Sequence, residues 1–208
     1  MASLLDVNFG GNTLTAVPDV TAWAGATRLA VQWNKLTALP DLSPMAATLT
    51  QLQFNDNAVS AWPELGAAAA LTLLDASKNH LTALPAALGW LTALVTLNLS
   101  GNPQLAALPE EIGCLLALES LNASNCALTA LPAGIAHCAA LKALIVPGNA
   151  FVSLTPALLD APALIRVSFD KCKTIDANDA ETMRVILGLR AKCSVKGGLF
   201  KLDPMIKL

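Results

Sequence analysis

The sequence predicts an α/β repeat solenoid. Short parallel strands would form a curved sheet with a concave face, and short helical or 3₁₀ turns would form the convex side. The prediction rests on a periodic asparagine, on apolar residues at fixed distances before it, and on a second apolar run with a spacing near three after it. The 208 residues suffice for one domain or one continuous stack of repeats.

An asparagine, or a cysteine in its place, recurs along the chain every 22 to 24 residues, as from position 12 to 34 and from 102 to 126. The eight positions are Asn12, Asn34, Asn57, Asn79, Asn102, Cys126, Asn149 and Cys172. An asparagine side chain carries two donors and an acceptor, enough to satisfy backbone groups that a buried turn would leave unpaired.

Apolar residues stand eight, five and three positions before each of these residues, as Leu94, Leu97 and Leu99 stand before Asn102. The alternation of apolar and polar residues around Leu97 predicts a short strand with one face directed inward. Each strand is followed by a return segment of similar length, so successive strands must be parallel. One repeat cannot bury its own leucines, and stacking therefore creates the core.

The return segments contain the pattern Leu-x-x-Leu-Pro, most clearly at 81–85, 105–109 and 128–132. Together with the asparagine spacing, this pattern resembles the leucine-rich-repeat family over residues 4–175, and within it the intracellular, Ras-suppressor-like subclass. The resemblance implies a protein-interaction role in signalling or cytoskeletal assemblies. It also implies that Cys126 and Cys172 are structural members of the asparagine series, because the family accepts cysteine there.

The chain divides into eight predicted repeats of 22–24 residues at 1–175 and a predicted C-terminal cap at 176–208. A capping box at 178–181 would open a helix with Met183, Ile186 and Leu187 on one face. A degenerate ninth strand is expected at 193–195, before the Gly197-Gly198 turn. Helix and strand would together cover the open end of the core.

Composition excludes several classes of protein. Hydrophobic residues make up 54% of the chain and charged residues 13%, with a net charge of -2, which argues against disorder and against a nucleic-acid footprint. The uncharged segment 81–99 contains Pro85 and Gly89 and keeps the repeat spacing, so it is predicted to be repeat core and not a membrane span. The N-terminus shows no basic region followed by an apolar run. Five cysteines without close pairs favour reduced thiols and a cytoplasmic location.

No catalytic, cofactor or metal site is predicted. The sequence contains no phosphate-binding glycine loop, and Cys114, Cys126 and Cys138 are twelve residues apart, too far for a zinc motif. His80 follows Asn79 in a turn, and His137 adjoins Cys138, where neighbouring side chains rarely meet. We therefore expect no enzyme.

Polar residues between the buried strand residues should face the concave side, because side chains alternate across a strand. Eight strands about 4.8 Å apart give a strip on the order of 34 Å long, which suits a protein or peptide partner. The candidate partner-binding residues are Trp33, Gln53, Leu73, Asp75, Asn98, Asn122, Ile145 and Arg166. Trp33 is either an exposed hot spot or packed beneath a loop, and the sequence favours neither reading.

Two further alternatives stay open. The basic residues of the C-terminal end are Arg166, Lys171, Lys173, Arg190, Lys192, Lys196 and Lys201. This basic C-terminal end could attract an acidic partner, although a solvated edge that protects a terminal strand is the favoured interpretation. The function predicted is a scaffold or adaptor that binds protein on the concave face. The alternative is a fixed structural subunit of a larger assembly, docked through an uncapped first repeat that begins at Leu4.

Overall fold

The computed structural model describes residues 6–65, 68–176, 178–202 and 204. Leu4 lies outside these residues, as do 177, 203 and 205–208 of the expected C-terminal cap. In the described part, nine strands form one sheet in chain order. They are β1 Asp6–Asn8, β2 Arg28–Ala30, β3 Gln51–Gln53, β4 Leu73–Asp75, β5 Thr96–Asn98, β6 Ser120–Asn122, β7 Ala143–Ile145, β8 Arg166–Phe169 and β9 Leu199–Leu202.

Each neighbouring pair of strands is parallel, and the register from β1 to β8 is the one that the asparagine spacing predicts. Leu97 of β5, for example, pairs with Leu74 of β4 and Leu121 of β6. The middle residue of each of these strands is buried, whereas its neighbours in β4 to β7 are half-buried. Stacked leucines thus form one continuous core beneath the sheet.

The return segments form short 3₁₀ turns on the other side of the core, as predicted. Their bounds are Thr21–Trp23, Ser43–Met45, Ala86–Trp90, Glu110–Cys114, Ala133–His137 and Pro156–Leu159. Pro85, Pro109 and Pro132 each directly precede a turn in an extended conformation. The fixed φ of proline suits this position, and the apolar residue three positions later then points into the core.

Neighbouring turns stack closely because glycine stands at their contact. A Cβ built on Gly134 would lie 2.2 Å from the backbone oxygen of Glu110. Glu110 also accepts hydrogen bonds at its carboxylate from the backbone N–H groups of Ala133, at 3.2 Å, and Gly134, at 2.7 Å. Glu110 thus stands in the first turn of its own 3₁₀ segment and also caps the start of the following one.

The C-terminal helix α1 spans Ala180–Val195. Its cap is Asp179 and not Asn178: Asp179 Oδ2 accepts a hydrogen bond of 2.8 Å from the backbone N–H of Thr182. Ile186 is buried and Met183 packs against the core as expected, but Leu187 is 50% exposed, so that one residue was assigned to the wrong face. The face that packs on the core consists of Thr182, Val185, Ile186, Leu189 and Cys193.

The ninth strand was predicted at the wrong residues. Cys193 to Val195 form the last turn of α1, and β9 begins after the two glycines. Gly197 adopts a φ of 65°, and the Gly198 N–H donates to the Cys193 carbonyl at 2.7 Å, the geometry that ends a helix. A Cβ on Gly198 would lie 1.8 Å from the Ile165 oxygen, so glycine also allows β9 to approach and pair with β8.

Candidate protein-binding surface

The outward-facing side of the sheet, here called the sheet surface, consists of two columns of strand residues and one column of residues just after the strands. The first column contains Asp6, Arg28, Gln51, Leu73, Thr96, Ser120, Ala143, Arg166 and Leu199. The second contains Asn8, Ala30, Gln53, Asp75, Asn98, Asn122, Ile145, Ser168 and Lys201. The third contains Gly10, Gln32, Asn55, Ser77, Ser100, Ser124, Pro147 and Asp170. Seven of the eight candidate residues lie in the first two columns.

Asp75, Asn98 and Asn122 lie side by side on β4, β5 and β6. Each uses its Oδ1 atom for the turn that follows. Asp75 Oδ1 accepts from the Ser77 backbone N–H at 3.0 Å and from its hydroxyl at 2.6 Å. Asn98 makes the same pair with Ser100, and Asn122 with Ser124. These three residues therefore shape the edge of the sheet surface in addition to lining it.

The second carboxylate oxygen of Asp75 and the Nδ2 groups of Asn98 and Asn122 are not used in these turns. None of them makes a hydrogen bond within the part of the chain that the structure describes. All three residues are half-buried. The centre of the sheet surface thus offers one acceptor and two donors for a further molecule.

Leu73 and Ile145 place half-buried apolar side chains on either side of this centre, on β4 and β7. Thr96 and Ser120 of the first column lie on the strands between them, and Ala143 lies beside Ile145 on β7; all three side chains are small. Small side chains flanked by larger apolar ones leave room for a side chain of a partner.

Trp33 lies in the turn after β2 and not on the strand itself. Its side chain is 59% exposed, which rules out packing beneath a loop. Its φ is positive, at 56°, and a positive φ recurs at the residue before each member of the asparagine series. The residues with positive φ at this position are Gly11, Trp33, Asp56, Lys78, Gly101, Asn125, Gly148 and Lys171. Trp33 therefore holds an unfavourable backbone conformation for a bulky residue while exposing its ring.

The N-terminal part of the sheet surface is joined by charge pairs. Arg28 contacts Asp6 at 3.0 Å and Gln53 at 2.9 Å, so three neighbouring strands share one guanidinium. In the turns, Lys78 lies 3.0 Å from Asp56. Burial alone would raise the pKa of Asp56, but hydrogen bonds from Asn55 and Lys78, the charge of Lys78 and a bond from Trp33 together hold the pKa below its usual value.

No protein-family model matches the chain, and no curated protein matches it. Solved structures do. The chain is similar to YopM, a leucine-rich effector protein of Yersinia pestis, with 23% identity and a TM-score of 0.64 over 79% of this chain and 48% of that one. It is similar to the leucine-rich repeat domain of the type III effector XopL, with 23% identity and a TM-score of 0.59 over 84% and 55%.

A third similar structure is the functional domain of InlJ from Listeria monocytogenes, described as including a cysteine ladder, with 17% identity and a TM-score of 0.53 over 84% of this chain and 51% of that one. The chain thus spans about half the length of these solved chains. It has the leucine-rich-repeat fold.

The leucine-rich repeats are joined by hydrogen bonds of the predicted asparagine series, whose eight residues are here called the asparagine ladder. Asn102 Nδ2 donates to the Leu99 carbonyl at 2.6 Å and to the Ala76 carbonyl of the preceding repeat at 3.1 Å. Cys126 Sγ donates to the Leu99 carbonyl of the preceding repeat at 3.4 Å and to the Ser124 carbonyl of its own repeat at 3.7 Å. The Leu105 N–H, which would otherwise bond to an asparagine oxygen, donates to the Asn102 carbonyl at 3.0 Å. The thiol is thus a ladder member, as the repeat spacing predicts.

Cys138 is a core residue of its leucine-rich repeat, and its Sγ contacts the Ile112 carbonyl at 3.2 Å. Burial raises the pKa of Cys138 to about 11, and burial likewise raises the pKa of Cys126. Cys114 is exposed at the end of a 3₁₀ turn. In the described ranges, His, Cys, Asp and Glu form no group of three or more that could hold a metal ion. No helix found among those residues has the length and apolar character to cross a membrane.

Two features of the structure were missed by sequence reasoning. A cavity of about 440 Å³ opens between the return segments of the third and fourth repeats, with Trp62, Leu65 and Leu84 among its lining residues. The signal was present, since the third return segment has the small residues 68–70 close to where the next repeat has leucine. The other feature is Lys192, whose Nζ donates to the carbonyls of Leu159 at 2.7 Å and of Ala161.

Proposed function

We propose that this chain is a protein-binding module, a scaffold or adaptor, that takes its partner on the sheet surface, the face expected to be concave. The observation that carries the proposal is the centre of that surface. There the Nδ2 groups of Asn98 and Asn122 are donors that have no partner within the described residues. Small side chains lie beside them, between Leu73 and Ile145. A surface of nine strands, about 38 Å long, is more than a small metabolite needs.

The proposed interface includes all eight candidate residues. Gln53 and Arg28 would form its N-terminal edge, and Arg166 its C-terminal part. Trp33 would contribute from the turn column, since exposed tryptophan is enriched among residues that dominate binding energy. The fold is shared with chains described as effectors, which is compatible with action through binding. Docking through the first repeat, the alternative role, would involve residues 1–5, which lie outside the described part, and we do not propose it.

We further propose membership in the Ras-suppressor-like subclass and a cytoplasmic location. Support for the subclass comes from the three Leu-Pro segments that each lead into a 3₁₀ turn. Support for the location comes from the five cysteines, all free thiols and four of them buried. Fractionation of the source cells, with an antibody against the chain, tests the location: recovery with the membrane or outside the cell would contradict it.

The binding surface is tested by affinity capture with a blocked variant. Thr96→Trp combined with Ser120→Trp fills the first column, where neither side chain makes a hydrogen bond within the described residues. The matched control is Thr92→Trp combined with Ala139→Trp, two exposed positions on the side of the 3₁₀ turns. We expect the blocked variant to lose a protein that the wild type and the control both retain, with all three equally folded by circular dichroism. Equal capture by all three would contradict the proposal.

A further inference from the structure

The donors at the centre of the sheet surface are the side-chain NH₂ groups that the turns do not use. In Asn98 and Asn122 the Oδ1 atom is occupied by the following serine, at 3.2 Å from the backbone N–H of Ser100 and 3.1 Å from that of Ser124. This fixes each amide so that its NH₂ group points away from the turn. Since β5 and β6 are paired neighbours, two such donors stand about 4.8 Å apart.

Two exposed cations continue the same surface toward the C-terminus. Arg166 lies in the first column on β8, and Lys201 lies in the second column on β9. Neither makes an ion pair or a side-chain hydrogen bond with any residue that the structure describes. We call Asn98, Asn122, Arg166 and Lys201 the donor half of the sheet surface.

Three other basic side chains near this end already have partners. Lys192 and Lys196 donate to backbone carbonyls, in the case of Lys196 to Pro162 at 2.5 Å. Lys142 lies 2.6 Å from Glu119. Asp170, in the third column, is a carboxylate that adjoins the donor half. Asp75 lies on β4, one strand before the donor half begins. From β5 to β9, the hydrogen-bond donors without a partner among the described residues therefore outnumber the carboxylates that could repel an anion.

We infer that the donor half binds an acidic peptide segment of the partner. This inference rests on the proposed function, and it adds the chemistry of the partner to the place where it binds. From β5 to β9 the distance is about 19 Å, which an extended segment of roughly six residues covers. Its carboxylates and carbonyls would accept from the two amides and from Arg166 and Lys201, and Ile145 would contact an apolar side chain between them.

A peptide fits this half better than a single-stranded nucleic acid does. Binding of unpaired bases relies on aromatic side chains on which the bases stack. The first two columns from β5 to β9 contain no aromatic residue: they consist of Thr96, Asn98, Ser120, Asn122, Ala143, Ile145, Arg166, Ser168, Leu199 and Lys201. Amides at fixed spacing suit carbonyl and carboxylate oxygens.

The experiment is a selection from a phage-displayed library of random twelve-residue peptides on the full chain. The peptides recovered most often are then synthesised with a fluorescent label, and their affinities are measured by anisotropy. We expect enrichment of Asp and Glu over the unselected library, and binding that weakens as salt is raised. Arg166→Glu should weaken binding about fivefold to tenfold. The control Arg190→Glu, an exposed position on α1, makes the same change of net charge and should have no effect.

Each other outcome has a definite meaning. Peptides without acidic enrichment, peptides that bind Arg166→Glu as well as wild type, or no selected peptide at all would overturn the inference. If peptides without acidic enrichment bind the wild type but not the Thr96→Trp, Ser120→Trp variant, the proposed function is supported and only the acidic character of the partner is contradicted. If acidic peptides bind that variant as tightly as they bind the wild type, they do not bind on the sheet surface, and the proposed function is contradicted. Tighter binding of a twelve-nucleotide oligothymidylate than of every selected peptide would replace the peptide with a nucleic acid.

Discussion

The side-chain oxygen of Asn102 accepts a hydrogen bond of 3.0 Å from the backbone N–H of Leu81, which belongs to the preceding repeat. Asn102 is fully buried, and its amide nitrogen donates back to that repeat as well. One side chain therefore satisfies backbone groups of two repeats in the interior, where water cannot replace it. The stability of the stack should depend on this contact.

Replacement of Asn102 by alanine should destabilise the chain by about 1–3 kcal/mol, because it leaves buried backbone groups without a partner. The matched control is Asn12→Ala at the exposed first ladder position, where water can take over the lost bonds and the change should stay below about 0.5 kcal/mol. Urea denaturation of both variants measures the difference. Equal stability of the two variants would show that the ladder does not support the core.

Replacement of Gly134 by alanine should cost about 1–3 kcal/mol or more, because the added methyl group meets the backbone oxygen of Glu110. Neighbouring 3₁₀ turns would have to separate to admit it. Ala133→Ser, at the exposed neighbouring position, serves as the control and should change stability by less than about 0.5 kcal/mol. A thermal melt in which Gly134→Ala equals wild type would contradict the close stacking of the turns.

The five thiols should differ in reactivity. Cys114 is exposed and should react rapidly with a thiol reagent at pH 8, whereas Cys126 and Cys138 should react only when the chain unfolds. Burial and a pKa of about 11 keep Cys138 protonated at that pH, so raising the pH to 9 should add little thiolate there. Mass spectrometry of labelled peptides identifies each site. Rapid labelling of Cys126 in the folded chain would contradict its place in the ladder.

Lys192 should be a structural residue, although it belongs to the basic C-terminal end. Lys192→Met keeps the aliphatic stem but removes two hydrogen bonds to backbone carbonyls and should cost about 1–2 kcal/mol. Arg190→Met on the same helix, at an exposed position, should cost less than about 0.5 kcal/mol. Indistinguishable urea midpoints for the two variants would show that both lysine and arginine are only solvated charges.

The repeats were predictable because their signal is redundant. The register of β1 to β8 follows from eight copies of one spacing, so a divergent residue such as Ala26 or Cys126 does not disturb it. The cap occurs once and has no such support. Cys193 to Val195 resembled a strand by residue type, but the helix continues until Gly197 adopts a positive φ. Leu187 was assigned to the buried face by its helical spacing from Met183, whereas tertiary packing buries Val185 and Leu189.

The candidate residues could be placed on the sheet surface from strand alternation alone, but their bonding could not. Nothing in the sequence says that Asn98 uses its oxygen for Ser100 and keeps its amide free, because that depends on the turn conformation. Likewise strand alternation placed Arg166 on the sheet surface, but only the fold shows that Lys192 donates to backbone carbonyls.

Site-specific photo-cross-linking tests the central claim most directly. A photo-reactive amino acid is placed at Ser120, in the middle of the sheet surface, or at Ala139, on the side of the 3₁₀ turns, and both chains are irradiated in extract of the source cells. Binding on the sheet surface predicts a discrete protein adduct from Ser120 that is absent from Ala139. Adducts from Ala139 alone, or the same adducts at both positions, would contradict the account.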